Sequence, residues 1–256
     1  MIRTVPVRSA AVGLLVGVLV GGASGCGASA GDDERPDHRS FTLHGRTLTV
    51  DSDDSALEIV AVKGKRTGTV EVTRWFQGSV TVGSGPKVNW SFKDDRLVLR
   101  VHCSGLIADC SARHRVEVPR GVGVEVVDGN GSVRAHGFAD PLGIRTSNGA
   151  VRVTDCTGPL DLRADDGSVR AAVSSRRVRA GVSNGSVDVE LGGVPDLVDV
   201  GSDNGPVTLA LPRAAYRVKA GSDNGPVSVS VPRDDRSPHT VSAHSSNGKV
   251  TVRTAN

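Results

Sequence analysis

The chain has 256 residues, with 31 basic and 28 acidic side chains and a formal net charge of +3. A balance this close to neutral lacks the electrostatic footprint of a general nucleic-acid binder. Aromatic residues make up only 3% of the chain, too few for a surface built on ring stacking.

Arg3 and Arg8 precede an apolar run over residues 10–20 and a small-residue stretch that ends at Cys26. That is the layout of an export signal over residues 1–25, and the run is too short to span a bilayer. Ala23-Ser24-Gly25-Cys26 resembles a bacterial lipobox, with alanine where leucine is usual; the resemblance implies that Cys26 is lipidated and anchors the protein to the outer face of the cell membrane. Removing Arg3 and Arg8 with the signal takes the 31 basic side chains to 29, against 28 acidic. Residues 26–40, with Asp32-Asp33-Glu34-Arg35-Pro36-Asp37, are polar and charged and read as a flexible tether. The preference for arginine over lysine, with abundant Gly, Ala and Val, is the composition of a GC-rich genome and fits an actinobacterial lipoprotein.

Residues 41–118 keep a blurred Gly-x-Val-x-Val outline, as in Gly68-Thr69-Val70-Glu71-Val72 and Gly78-Ser79-Val80-Thr81-Val82. This stretch holds Trp75, Trp90, Phe41, Phe76 and Phe92, and is expected to form a bulkier β-rich cap of degenerate coils over one end of the core. Cys103 and Cys110 are spaced to close a short loop by a disulfide in an oxidising compartment, worth about 2–3 kcal/mol. Cys156 is then left over and reads as a small buried side chain at a corner rather than a reactive thiol.

From residue 119 onward one phrase recurs seven times: Asn or Asp, then Gly, then an alternating strand. Its glycines are Gly131, Gly149, Gly167, Gly185, Gly205, Gly225 and Gly248, at steps of 18, 18, 18, 20, 20 and 23. Counting outward from each glycine, positions +2 and +4 are apolar (Val151/Val153, Val187/Val189), and so are −7 and −5 (Leu142/Ile144, Val178/Ala180). Each copy buries too little to fold alone, so the period predicts stacked copies sharing one core. The expected architecture is all-β, a single-stranded, β-helix-like β-solenoid over residues 119–256 with coils of about 18–20 residues. Asn148, Gly149, Asn184, Gly185, Asn204, Gly205, Asn224 and Gly225 would form its structural corner, where residues that tolerate positive φ are needed.

The Cys103/Cys110 pair, the strand Val116-Glu117-Val118-Pro119 and the serial Asn-Gly-x-Val copies resemble the DUF4097 group of bacterial envelope proteins, labelled adhesins, over residues 41–256. The resemblance implies a β-solenoid in the cell envelope and carries over no catalytic residue and no cofactor.

The common catalytic and nucleotide-binding motifs are missing from the sequence, and His38, His44, His102, His114, His136, His239 and His244 show no metal-ligand spacing. Asp203 and Asp223 share position −2 on copies consecutive in sequence, which would set their carboxylates about one strand spacing apart. Such a pair could bind calcium or simply be solvated, though Ser-Asp-Asn-Gly-Pro lacks the layout of calcium β-rolls. Arg134, Arg152 and Arg170 share position +3 on three successive copies, and Arg145 and Arg163 share position −4. All five should face outward, either as an anion-binding ladder for phosphates or carboxylates of a cell-wall polymer or as ordinary solvated surface. The reading is a non-enzymatic, lipid-anchored envelope protein that meets an envelope protein or an anionic polymer and no nucleic acid. Two alternatives stand: an accessory of an envelope-stress signalling system, and a β-helix enzyme acting on polysaccharide through Asp203 or Asp223.

Overall fold

Alternation of apolar and polar residues becomes strand in nearly every segment of the computed structural model, which describes residues 29–63 and 68–255. The export signal expected at 1–25 and the expected lipidation site Cys26 lie outside the described residues. The first strands are β1 (Asp37–Thr42), β2 (Thr47–Asp53), β3 (Ala56–Val62), β4 (Thr69–Lys93) and β5 (Arg96–Pro119). Then come β6 (Gly123–Asn130), β7 (Val133–His136), β8 (Leu142–Thr154), β9 (Leu160–Val173), β10 (Arg177–Leu191), β11 (Leu197–Asn204) and β12 (Val207–Leu211). The chain ends in β13 (Arg217–Ser222), β14 (Val227–Val229), β15 (Thr240–Asn247) and β16 (Val250–Thr254).

Parallel neighbours align phrase on phrase. Leu142, Ile144, Asn148, Gly149, Val151 and Val153 of β8 stand opposite Leu160, Leu162, Asp166, Gly167, Val169 and Ala171 of β9, and β9 meets β10 in the same way. The inward residues of these strands are almost fully buried in one continuous apolar cluster. At each bend a glycine carbonyl lies against the next glycine, and side-chain amides link up: Asn148 Nδ2 donates to Asn130 Oδ1 at 2.8 Å and Asn204 Nδ2 to Asn184 Oδ1 at 3.0 Å.

The expected single-stranded β-solenoid with a separate cap is not the fold. The molecule is all-β and built on a closed eight-strand β-barrel with extra strands. The ring can be followed through the pairing. The first arm of β5 pairs with β2, β2 with β6, and β6 with the first arm of β8; the second arm of β8 pairs with β7, β7 with β3, and β3 with the second arm of β5. Because β5 and β8 each bend and supply two arms, the ring has eight segments. The repeat fixed parallel register between neighbours, but register alone does not say whether a sheet closes. Closure comes from β2, β3 and the two arms of β5, which lie within residues 41–118 and belong to the ring rather than to a cap.

The remaining strands extend this frame. β4 runs antiparallel along β5, with the turn at Asp94-Asp95 in positive φ, and β1 runs antiparallel along β4. Residues 37–40, expected in the tether, are therefore strand. β5 uses residues 101–112 to cover a gap that β2 and β3 cross with a tight turn, and the excess leaves the body as a ribbon with β4. The Cys103–Cys110 disulfide ties that excursion together, and Leu106 beyond it is 86% exposed. β9 to β16 continue in parallel from β8, with one change of order: β15 and β16 lie between β11/β12 and β13/β14.

Candidate functional site

Strand alternation places Arg134, Arg152 and Arg170 on the outside, because Val133, Ala135, Val151, Val153, Val169 and Ala171 beside them are buried. Arg134 stands opposite Arg152, and Arg152 opposite Arg170, on β7, β8 and β9, so three guanidinium groups recur at the ~4.8 Å spacing of neighbouring strands. All three are exposed, and among the described residues none has a hydrogen bond or ion pair. The row is bounded by Glu58 on β3 and Asp188 on β10. Glu58 is already engaged by Arg115 at 3.1 Å. An anion that brings several acceptors at strand spacing would relieve like-charge repulsion here and find bidentate donors.

Arg145 and Arg163 are also paired in register, but they are partly neutralised: Arg145 Nη1 lies 3.7 Å from Glu125 Oε2, and Arg163 Nε donates to Asp161 Oδ1 at 3.1 Å. They do not join the first row, since they lie on the opposite side of the bend. Arg163 instead borders an open groove of about 490 Å³ whose floor includes Gly181 and Gly201. Gly181 has no steric need to be glycine: a Cβ there meets nothing within 4 Å and its φ is ordinary. Gly181→Val is therefore expected to raise unfolding free energy by about 0.5–1 kcal/mol, through β-propensity and a smaller unfolded ensemble. Denaturant unfolding measures this, and a loss of stability would show that the glycine is required by the fold.

Asp203 and Asp223 are not brought together. The residues flanking each align with β15, which stands between them, so Ser246 occupies the place next to both. Asp223 faces His244 instead, at 3.6 Å. No group of three His, Cys, Asp or Glu residues that could hold a metal ion occurs among the described residues. Cys156 is fully buried, its Sγ donates to the Thr154 carbonyl at 3.3 Å, and burial pushes the thiol above its ordinary value. A thiol so placed has little thiolate character.

One constellation escaped the sequence reading. Ser52, Ser55, His114, Asp128 and Thr146 are all buried where the barrel's bends meet. His114 Nδ1 lies 3.1 Å from Ser55 Oγ, Ser55 Oγ lies 3.0 Å from Ser52 Oγ, and Thr146 donates to Asp128 Oδ2 at 3.4 Å. Burial lowers His114 to about 4 and raises Asp128 to about 6, with Asp53 and Asp54 adding to the rise. A serine, a histidine and an aspartate in one network invite comparison with a hydrolase, yet Ser55 is only 3% exposed and His114 is 0% exposed. No substrate reaches a nucleophile sealed in this way, and the group acts as structure. Extending the period-two count one step toward each glycine would have found Asp128 and Thr146, since position −3 reads Asp128, Thr146, Ala164, Val182, Ser202, Ser222 and Ser245, whereas Ser52, Ser55 and His114 precede the repeat and lie outside that count.

No protein-family model and no curated protein matches the chain. Among solved structures, a "putative adhesin" from Bacteroides fragilis is similar with a TM-score of 0.52 and 14% identity, over 87% of this chain and 98% of that one. A "putative cell adhesion protein" from Clostridium sporogenes matches at a TM-score of 0.36 and 12% identity, over 86% of this chain and 100% of that one. A "putative adhesin" from Parabacteroides merdae matches at 0.37 and 9%, over 88% and 98%. What this chain shares with the Bacteroides fragilis protein is its fold.

Proposed function

We propose that this chain is a non-enzymatic, lipid-anchored binding protein of the cell envelope that grips an anionic wall polymer through Arg134, Arg152 and Arg170. The observation that carries this reading is the row of three exposed, unpartnered guanidinium groups held in strand register. It is supported by the lipobox-like Ala23-Ser24-Gly25-Cys26, by the DUF4097-like sequence features, and by a fold shared with a protein called a "putative adhesin". The enzyme alternative has lost its residue pair, because β15 separates Asp203 from Asp223.

The test is retention of the secreted protein on purified cell wall, beside the triple variant Arg134→Gln, Arg152→Gln, Arg170→Gln. Wild type is expected to be retained and released by salt, while the triple variant loses at least about tenfold in affinity with unchanged unfolding, since all three side chains are exposed. Equal retention of the two proteins would reduce the row to solvated surface. Capture of a membrane protein alone, unaffected by the variant, would favour a signalling accessory.

A further inference from the structure

We infer that the molecule pairs end to end with a second copy of itself through the free edges of β13 and β14. These two strands form the last layer of the sheet: among the described strands β13 pairs only with β15, and β14 only with β16. In the layer beneath, Val241, Val250 and Val252 are 0% exposed. In the last layer the equivalent Val218, Ala220 and Val229 are only partly buried, and Val227 is 43% exposed. Residues 232–234 run beside the buried Tyr216, but past that point no strand among the described residues covers the apolar core at the end of the stack, in a position where repeat architectures ordinarily place a polar cap.

Only one kind of copy-to-copy contact suits this edge. At the far end of the strand path β1 is antiparallel and largely exposed, carries Asp37, His38 and Arg39, and is fastened to β4 by Phe41, which stacks on Phe92, and by Arg39, which lies over the Trp90 ring that Arg74 also meets. Such an edge resists strand addition, so head-to-tail stacking into a filament is disfavoured. Like edges must meet about a two-fold axis, which makes both new ladders antiparallel and stops assembly at the dimer.

The backbone sets the register. Arg217 N–H and Asp223 N–H donate to His239 and Ser245 carbonyls, so the odd-numbered groups of β13 face β15 and those of Val218, Ala220 and Ser222 face outward. The outward direction is already used at Tyr216, whose N–H donates to the Pro232 carbonyl, and the connection there limits how far a partner ladder extends. On β14 the Ser230 N–H donates to Val252 and the Pro226 carbonyl accepts from Val250, which leaves Val227 and Val229 facing outward. A two-fold centred on Ala220 pairs Val218 with Ser222 of the other copy by hydrogen bonds. It sets Lys219 over Gly221 and brings Arg217 opposite Asp223 in the closely spaced, non-hydrogen-bonded pairing. Centring β14 on Ser228 pairs Val227 with Val229 of the other copy and covers the exposed valines. Both edges are thus self-complementary in hydrogen bonding and apolar contact, and β13 also in charge.

The experiment is sedimentation equilibrium of the secreted protein over a concentration series, with Arg217→Asp and the exchange Arg217→Asp/Asp223→Arg in parallel. Among the described residues the Arg217 side chain bonds only Thr240 Oγ1 on the surface, so the single variant should fold. Wild type is expected to show a monomer–dimer equilibrium with no larger species. Arg217→Asp should raise the dissociation constant at least about tenfold by opposing like charges twice across the axis, and the exchange should restore it. A wild type that stays monomeric, a series of species beyond the dimer, a dimer indifferent to Arg217→Asp, or failure of the exchange to rescue would each overturn the inference.

Discussion

Replacing Gly185 with alanine is expected to cost about 3 kcal/mol or more of unfolding free energy, although it adds one methyl group. Gly185 has φ +145°, in a region that L side chains rarely adopt, and a Cβ built there lies 1.6 Å from the Gly167 carbonyl oxygen. That oxygen is backbone of the neighbouring strand, so the bend of β10 would have to part from the bend of β9, loosening a ladder that runs from Val178 to Leu191. The same approach recurs at Gly149, 1.7 Å from the Gly131 oxygen, and at Gly205, 2.0 Å from the Gly185 oxygen, so the clash belongs to every bend of this type. Denaturant unfolding of Gly185→Ala beside Gly181→Val separates the two uses of glycine four residues apart. The first should lower the midpoint strongly and the second should not. A midpoint for Gly185→Ala equal to wild type would mean that the bends are not packed as described.

The second large effect is a pair of opposed pH dependences within one buried network. His114 falls from an ordinary 6.5 to about 4 in the folded protein, chiefly through burial, with the Arg74 charge adding to it. Its contribution is present above pH 6.5 and is lost as the pH drops toward 4, because the unfolded chain takes the proton first. Asp128 rises from an ordinary 3.8 to about 6, again chiefly through burial. Its contribution is present below pH 3.8 and is lost as the pH climbs through 6. Each shift corresponds to a stability change on the order of 3 kcal/mol across its window. In the wild-type protein the two cancel between about pH 6 and 4. Asp128→Asn should therefore lose stability relative to wild type on acidification from pH 7 to 4.5, and His114→Phe should gain. Parallel slopes for the two variants over that range would show that these groups do not titrate as their burial implies.

The asymmetry in what could be read from the chain follows from the same geometry. Arg134, Arg152 and Arg170 were legible as an outward row because alternation in a strand leaves a side chain two directions, and their neighbours are valines and alanines that must be inside. The bends at Gly149, Gly185 and Gly205 were legible because few residues fit a site of positive φ against a backbone oxygen; the asparagines beside them, and Gly225, keep ordinary φ. Asp203 and Asp223 were misplaced for a different reason. Parallel strands that carry the same phrase are interchangeable partners: Val241 and Ala243 fit beside Val198 and Val200 as well as Val218 and Ala220 do. Sequence adjacency was then a poor guide to spatial adjacency. The step of 23 residues before Gly248 was the available sign, since it gives the chain length to pass the layer just made. Over that connection the His239 ring nitrogen meets the Pro195 carbonyl at 2.8 Å and Thr240 N–H donates to Asp196, fastening β15 beside β11.

Strand class, the direction in which each side chain points, the bends and the register of neighbours follow from a two-residue alternation and local backbone preference, and so could be read from the chain. Which strands are neighbours could not: the closure through β2, β3 and β5, the insertion of β15 and β16, and the free edge of β13 and β14 emerge in the folded molecule. Those choices rest on burial summed across the whole core, where repeated phrases are nearly equivalent and small differences in distant packing select one order.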